Sequence, residues 1–152
     1  MENIFCKVID LPKEVYKQLY SLNYRANGLM RSELVAGRKD PSYEYYVTYA
    51  IDAEGEVKSW VLAMKNQYDV YARPLTPEGS RPRDHQLMSN VYNIHFWTRK
   101  SCRRQGIGGS VFKTLKESLP ADAVFKVFPH DYSSHNFMRS KIAATPGTKV
   151  ME

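Results

Sequence analysis

The amino-acid sequence predicts an α/β (α+β) fold in which helices flank a mixed sheet. Two observations predict it. Apolar side chains alternate over residues 43–51, a turn follows at 52–55, and a second strand-prone segment covers 57–64, as in a β-hairpin. From residue 91 onward the pattern becomes strand, helix, strand, helix, which favours a right-handed parallel crossover.

Shorter elements precede the hairpin. Residues 4–10 are typical of a first strand, and the next segment has Val15, Leu19 and Leu22 at helical spacing. A second helix is predicted over residues 29–36, ending at Gly37 because glycine commonly terminates helices.

The segment 66–90 separates the hairpin from the parallel part. Its three prolines and Gly79 break any regular period, so it is predicted to be a long loop or insertion. A loop of this length is uncommon in a compact domain unless it serves a site. It either forms one wall of an acceptor site or is disordered.

The C-terminal part begins with a strongly strand-prone run at 91–98. The helix after it turns Val111, Phe112, Leu115 and Leu119 inward and ends at Pro120. A strand at 123–128, a helix at 133–142 and a tail with at most a short strand complete the pattern.

The composition is that of one globular domain covering residues 1–152, with 43% hydrophobic residues. No apolar run approaches the roughly 18–20 residues that span a bilayer, and the N-terminal segment does not resemble a secretory signal. Cys6 and Cys102 make neither a disulfide framework nor a metal site. We therefore expect a cytoplasmic protein, monomer or homodimer, without membrane contact or bound metal.

The net charge of +6 is concentrated in one segment. Between Arg73 and Arg104, seven basic residues stand against two acidic ones, a balance of +5. A concentrated positive field attracts polyanions, either nucleic acid or a phosphorylated cofactor. A solvated basic surface is the alternative.

The residues from Arg103 to Ser110, RRQGIGGS, predict an anion-binding turn. A strand precedes them and a helix follows, so several backbone N–H groups and the positive end of the helix dipole point towards one place. Gly106 and Gly108 let an anion approach the backbone closely. The lysine of a Walker loop is absent, and Val111 stands where a dinucleotide fingerprint needs its third glycine. The pattern that remains is R-x-x-G-x-G.

On these residues, the segment from Thr98 to Leu119 resembles the acetyl-CoA-binding segment of the GNAT N-acetyltransferases. The resemblance implies a GNAT-like fold with a mixed, mostly antiparallel sheet, and acetyl-CoA as the cosubstrate. It also implies that the backbone of Phe96, Trp97 and Thr98 bonds to the pantetheine arm. The residues that would bind the CoA pyrophosphate are Arg103, Arg104, Gln105, Gly106, Ile107, Gly108, Gly109 and Ser110.

Further along, the chain departs from the family pattern. Asp131 stands where the family usually has an asparagine and Ser134 occupies the small position three residues later, so both are expected to contact the cofactor. The family's tyrosine, which often protonates the departing CoA thiolate, is replaced by Met138. Tyr132 and His135 are the candidate substitutes for that acid. The C-terminus is also short, so the family's last strands are reduced or missing.

His95 is the candidate general base. It lies in the strand before the loop, where this family often has its base, and the reference pKa of histidine is about 6.5. The alternative is a structural histidine within the sheet. Glu33 and Glu44 either hold a cationic acceptor or are solvated, and Cys102 is interpreted as a loop residue rather than a nucleophile.

The prediction is an acetyl-CoA-dependent N-acetyltransferase. Its acceptor would be the amine of a protein lysine or N-terminus, of a small molecule or of an aminoacyl group. The alternative is a GNAT-shaped module that has lost catalysis and acts through protein or nucleic-acid contacts, in keeping with Met138 and the basic segment. A plain nucleic-acid-binding domain has only its charge in favour, since the sequence has no recognition-helix or RNP-like pattern.

Overall fold

The computed structural model describes residues 1–26, 28–66, 70–72, 86–88, 90–127 and 149–151. The strands are β1 (Glu2–Lys7), β2 (Tyr45–Ile51), β3 (Val57–Lys65), β4 (Val70–Ala72), β5 (Gln86–Met88), β6 (Val91–Thr98), β7 (Val124–Val127) and β8 (Lys149–Met151). The helices are α1 (Lys13–Ala26), α2 (Gly28–Lys39) and α3 (Ile107–Ser118), with short 3-10 turns at Val8–Asp10 and Lys100–Cys102.

Six of the strands form one sheet in the order β1-β2-β3-β6-β7-β8. The pairs β1–β2, β2–β3 and β3–β6 are antiparallel, and the pairs β6–β7 and β7–β8 are parallel. The predicted hairpin is the β2–β3 pair, and α3 connects the parallel strands β6 and β7. The mixed, mostly antiparallel sheet with flanking helices is therefore confirmed.

Both faces of the sheet are apolar, because successive strand residues point to opposite sides and helices cover each side. The first face, here called the α3 face, packs against α3 through Ala50, Val61, Ala63, Tyr92, Ile94, Val111, Phe112, Leu115 and Phe125. The second, the α1/α2 face, packs against the other two helices through Val15, Leu19, Leu34, Val47, Tyr49, Trp60, Leu62 and Met64.

The predicted end of α2 at Gly37 is wrong, because the helix continues to Lys39. Gly37 is buried inside the helix, where a Cβ atom would lie 2.8 Å from Cδ2 of Tyr45 and 3.2 Å from Cγ1 of Val8. The glycine therefore serves close packing of α2 on the sheet rather than helix termination.

Two other segments differ from expectation. The first strand ends at Lys7, and the predicted residues 8–10 form a 3-10 turn. The predicted loop at 66–90 contains an antiparallel pair of strands, β4 and β5. Each has three residues, which is too short to produce a recognisable alternation of apolar and polar residues in the sequence. The short strand that the sequence allows in the tail is β8, which lies parallel beside β7. The helix predicted at 133–142 falls outside the described residues.

Candidate functional site

The turn before α3 has an unusual backbone. Arg104 and Gly106 have φ angles of 65° and 77°, both in the left-handed region. Gly106 is the N-cap residue of α3, and no side chain caps the helix there. The first intrahelical bond from this end runs from the N–H of Ser110 to the carbonyl of Gly106 at 3.0 Å. The amides of residues 107–109 precede it and so have no acceptor within the helix.

The turn is open to an approaching anion. Arg103, Arg104, Gln105 and Gly106 are exposed, and a Cβ atom added to Gly106 would meet no atom within 4 Å. Nε of Arg103 donates to the carbonyl of Thr98 at 3.2 Å, which holds this guanidinium beside the turn. An open cleft of about 300 Å³ lies against the turn and the start of β1. Exposed backbone donors next to cationic side chains fit a pyrophosphate group.

The strand that leads into the turn, β6, has a partner strand on each edge within the part of the chain that is described. Its pairing with β3 runs from Tyr92 to Thr98, whereas its pairing with β7 runs from Val91 to Ile94 only. Among the described residues, the predicted pantetheine segment 96–98 therefore lies beyond the last β6–β7 pair. The second half of β6 borders the turn without a described strand on that edge.

Buried contacts hold this segment in place. Oγ of Ser59 donates to the carbonyl of Trp97 at 3.0 Å and lies 2.8 Å from the hydroxyl of Thr98. The side chain of Phe96 packs on the α3 face and that of Trp97 on the α1/α2 face. Arg99 then bonds to Glu56 at 3.0 Å and to the carbonyl of Val57 at 3.0 Å. The approach to the turn is thus anchored to β3.

His95 lies on the α1/α2 face, opposite Leu62 of β3. Its side chain is buried, and its Nε2 is 3.6 Å from Oε2 of Glu33 in α2. The structure thus joins two residues that lie far apart in the sequence. This pairing was missed by sequence reasoning, because neither residue carries a local motif that points to the other.

Polar groups accumulate around this pair. Oε2 of Glu33 is buried and accepts no hydrogen bond from the described residues, and burial raises the pKa of this carboxyl group. Burial, and then the neighbouring Glu33, raise the pKa of Tyr45. Asn93, two residues before His95 on β6, donates to Oδ1 of Asn66 at 3.0 Å, while its own Oδ1 is buried and has no partner in the described part of the chain. The α1/α2 face therefore contains a small polar cluster in an apolar setting.

The remaining candidates separate into two groups. Glu44 is exposed and pairs with Lys65 at 3.2 Å, and Cys102 is half-buried in the 3-10 turn beside the hydroxyl of Ser101. Glu44 is therefore a surface carboxylate in this structure. A second set falls outside the described residues: Asp131, Tyr132, Ser134, His135 and Met138.

The part of the chain that is described contains neither a metal-binding group nor a membrane-spanning helix. There, no three His, Cys, Asp or Glu side chains are grouped so as to hold a metal ion. No helix there is long and apolar enough to cross a membrane.

Known proteins are similar to this chain in fold and not in sequence. No family model and no curated protein sequence matches the chain. The chain is similar to a mutant form of the BH1408 protein from Bacillus halodurans, with 16% identity, a TM-score of 0.55, and coverage of 100% of this chain and 98% of that chain.

Two structures of the xEco2 acetyltransferase domain are also similar. One has 17% identity, a TM-score of 0.55, and coverage of 99% of this chain and 89% of that chain. The other, bound to a K105-CoA conjugate, has 15% identity, a TM-score of 0.53, and coverage of 91% and 86%. The chain has a GNAT-like fold. At these identities the likeness shows the fold alone.

Proposed function

We propose that this protein is an acetyl-CoA-dependent N-acetyltransferase acting on a primary amine. The observation that carries the proposal is the uncapped start of α3, where Gly106 and the exposed arginines form an anion-binding turn. The fold shared with acetyltransferase domains supports the same assignment.

In this proposal the amides of residues 107–109 bind the CoA pyrophosphate, and Arg103 and Arg104 add positive charge beside it. Bound acetyl-CoA supplies the acetyl group as an activated thioester. On the α1/α2 face, His95 accepts a proton from the acceptor ammonium, because the amine must be neutral to attack. We favour a lysine side chain as the acceptor, because one structure of the xEco2 acetyltransferase domain is bound to a K105-CoA conjugate.

The first experiment tests cofactor binding. Acetyl-CoA at about 100 times its Kd stabilises a folded protein by about 2.7 kcal/mol, which raises Tm by about 5–10 °C for a chain of this size. Gly108→Val is expected to remove this shift, because a branched side chain blocks approach to the amides. Ser118→Val, at the other end of α3, is the matched control and keeps it. No shift in the wild type at millimolar acetyl-CoA rejects the proposal.

The second experiment tests turnover. The protein is incubated with labelled acetyl-CoA and lysine-containing peptides, and products are sought by the mass of one added acetyl group. Thermal stabilisation with no product under any condition favours the alternative, a GNAT-shaped binding module. In that case salt-sensitive binding to nucleic acid is the next measurement, because phosphate contacts weaken steeply with salt.

A further inference from the structure

We propose that Glu33 is a positioning residue that sets the charge state of His95 and thereby the pH range of acetyl transfer. The inference rests on the proposed function, since it assigns a role in that reaction to a residue of α2. It begins from the contact of 3.6 Å between Glu33 Oε2 and His95 Nε2.

The contact is held by the packing of α2 on the sheet. Leu34, next to Glu33, is buried in the α1/α2 cluster, and Gly37 one turn later lets the helix approach Tyr45 and Val8 closely. Residues three or four apart share a helix face, so Glu33 and Gly37 both face the sheet. The carboxylate therefore faces β6 with its Oε2 buried, while 34% of the side chain remains exposed.

Burial and charge act on His95 in opposite directions. The imidazole is 7% exposed, and burial alone favours its neutral form. A carboxylate at this distance favours the imidazolium. The described neighbours from β2 and β3, Tyr45 and Leu62, carry no charge at neutral pH, and neither does Asn93 on β6. Among these described groups, Glu33 carries the charge that opposes the effect of burial.

The proton transfers balance as follows. Neutral His95 takes one proton from the acceptor ammonium, and Glu33 stabilises the imidazolium that forms. The free amine then forms the N–C bond to the acetyl carbon as the C–S bond breaks. The second proton from the nitrogen goes to the thiolate, and the proton on His95 returns to solvent.

The first test needs no turnover. The imidazole of His95 is titrated by NMR in the wild type, in Glu33→Gln and in Glu117→Gln, with the resonance assigned by its loss in His95→Gln. Glu33→Gln is expected to lower the pKa of His95 by about 1 unit or more. Glu117→Gln changes the net charge equally at the exposed end of α3, where Glu117 lies 4.0 Å from Lys113, and leaves the titration unchanged. An unchanged His95 titration in Glu33→Gln overturns the proposal.

The second test connects the pair to the reaction. The acidic limb of the pH profile of kcat/KM should move to lower pH in Glu33→Gln by the same amount as the NMR titration. Glu33→Asp, which keeps the charge, should retain most of the wild-type profile. Wild-type turnover with an unmoved limb in Glu33→Gln overturns this inference alone. Absence of both acetyl-CoA binding and product in the wild type overturns the proposed function as well.

Discussion

The two faces of the sheet contribute to the candidate site in different ways. The α3 face is almost wholly apolar, and its helix brings backbone amides to the turn. The α1/α2 face contains the His95–Glu33 pair. Among the described residues, four buried side-chain polar atoms have no hydrogen-bond partner. Those of Glu33, Trp60 and Asn93 lie on the α1/α2 face, and that of Thr48 lies on the α3 face. In the proposed function, one face therefore offers main-chain binding and the other side-chain chemistry.

The largest expected effect separates these two contributions. His95→Gln should lower turnover about 100- to 10,000-fold, the usual contribution of a general base, while the thermal shift caused by acetyl-CoA stays as in the wild type. Activity assays and melting curves on the same preparation check both parts. Loss of acetyl-CoA binding in this variant would show that the two faces are not independent.

The same division explains what the sequence could predict. The turn from Arg103 to Ser110 could be proposed as an anion-binding site because its candidate groups lie in consecutive residues, between a strand and a helix that the structure confirms. The hairpin and α3 were predicted because their periods are long and regular. The pairing of Glu33 with His95 could not be predicted, since it depends on where α2 crosses the sheet.

Gly37 illustrates the same limit. By local rules it terminates a helix, and only the contact with Tyr45 shows its actual role.

A second effect concerns the thiol of Cys6, which packs against the α1/α2 cluster. Burial, and then the nearby Asp10, raise its pKa from 9.0 to about 11. In a Cys102→Ser background, alkylation at pH 8 should therefore be about 100-fold slower in the folded than in the unfolded protein, because the thiolate reacts. Equal rates in the two states would contradict the burial of Cys6.

The same shift makes folding stability depend on pH. Because the pKa of Cys6 is higher in the folded than in the unfolded protein, its neutral thiol adds to the free energy of unfolding below pH 9. This contribution is lost as the pH rises towards 11. On the α3 face, burial raises the pKa of Tyr92 to about 12, so its contribution is lost later, as the pH rises from 10 towards 12. Melting curves of Cys6→Ser and Tyr92→Phe against pH should separate the two windows.

The next effect tests the close approach of α2. Gly37→Ala should destabilise the fold by up to about 2 kcal/mol, since overpacking typically costs about 1–3 kcal/mol and the gain in helix propensity offsets about 1 kcal/mol. Urea unfolding measures it. The variant should also disturb the His95 titration, because the position of Glu33 depends on this contact. A stabilised variant would show that α2 lies further from Tyr45.

The smallest expected effect concerns the strained arginine of the turn. Arg104→Gly relieves a φ of 65° that L-residues rarely adopt, at the cost of greater freedom in the unfolded chain, so Tm should hold or rise by the equivalent of about 1 kcal/mol or less. Arg103→Gly removes the same charge where φ is an ordinary −68°, so it should only destabilise the fold.

Both variants should weaken acetyl-CoA binding, and more so at low salt. Opposite effects on stability with similar losses of binding would show that these arginines act by charge while the backbone defines the site. A much larger binding loss in one of them would instead assign that guanidinium a specific contact.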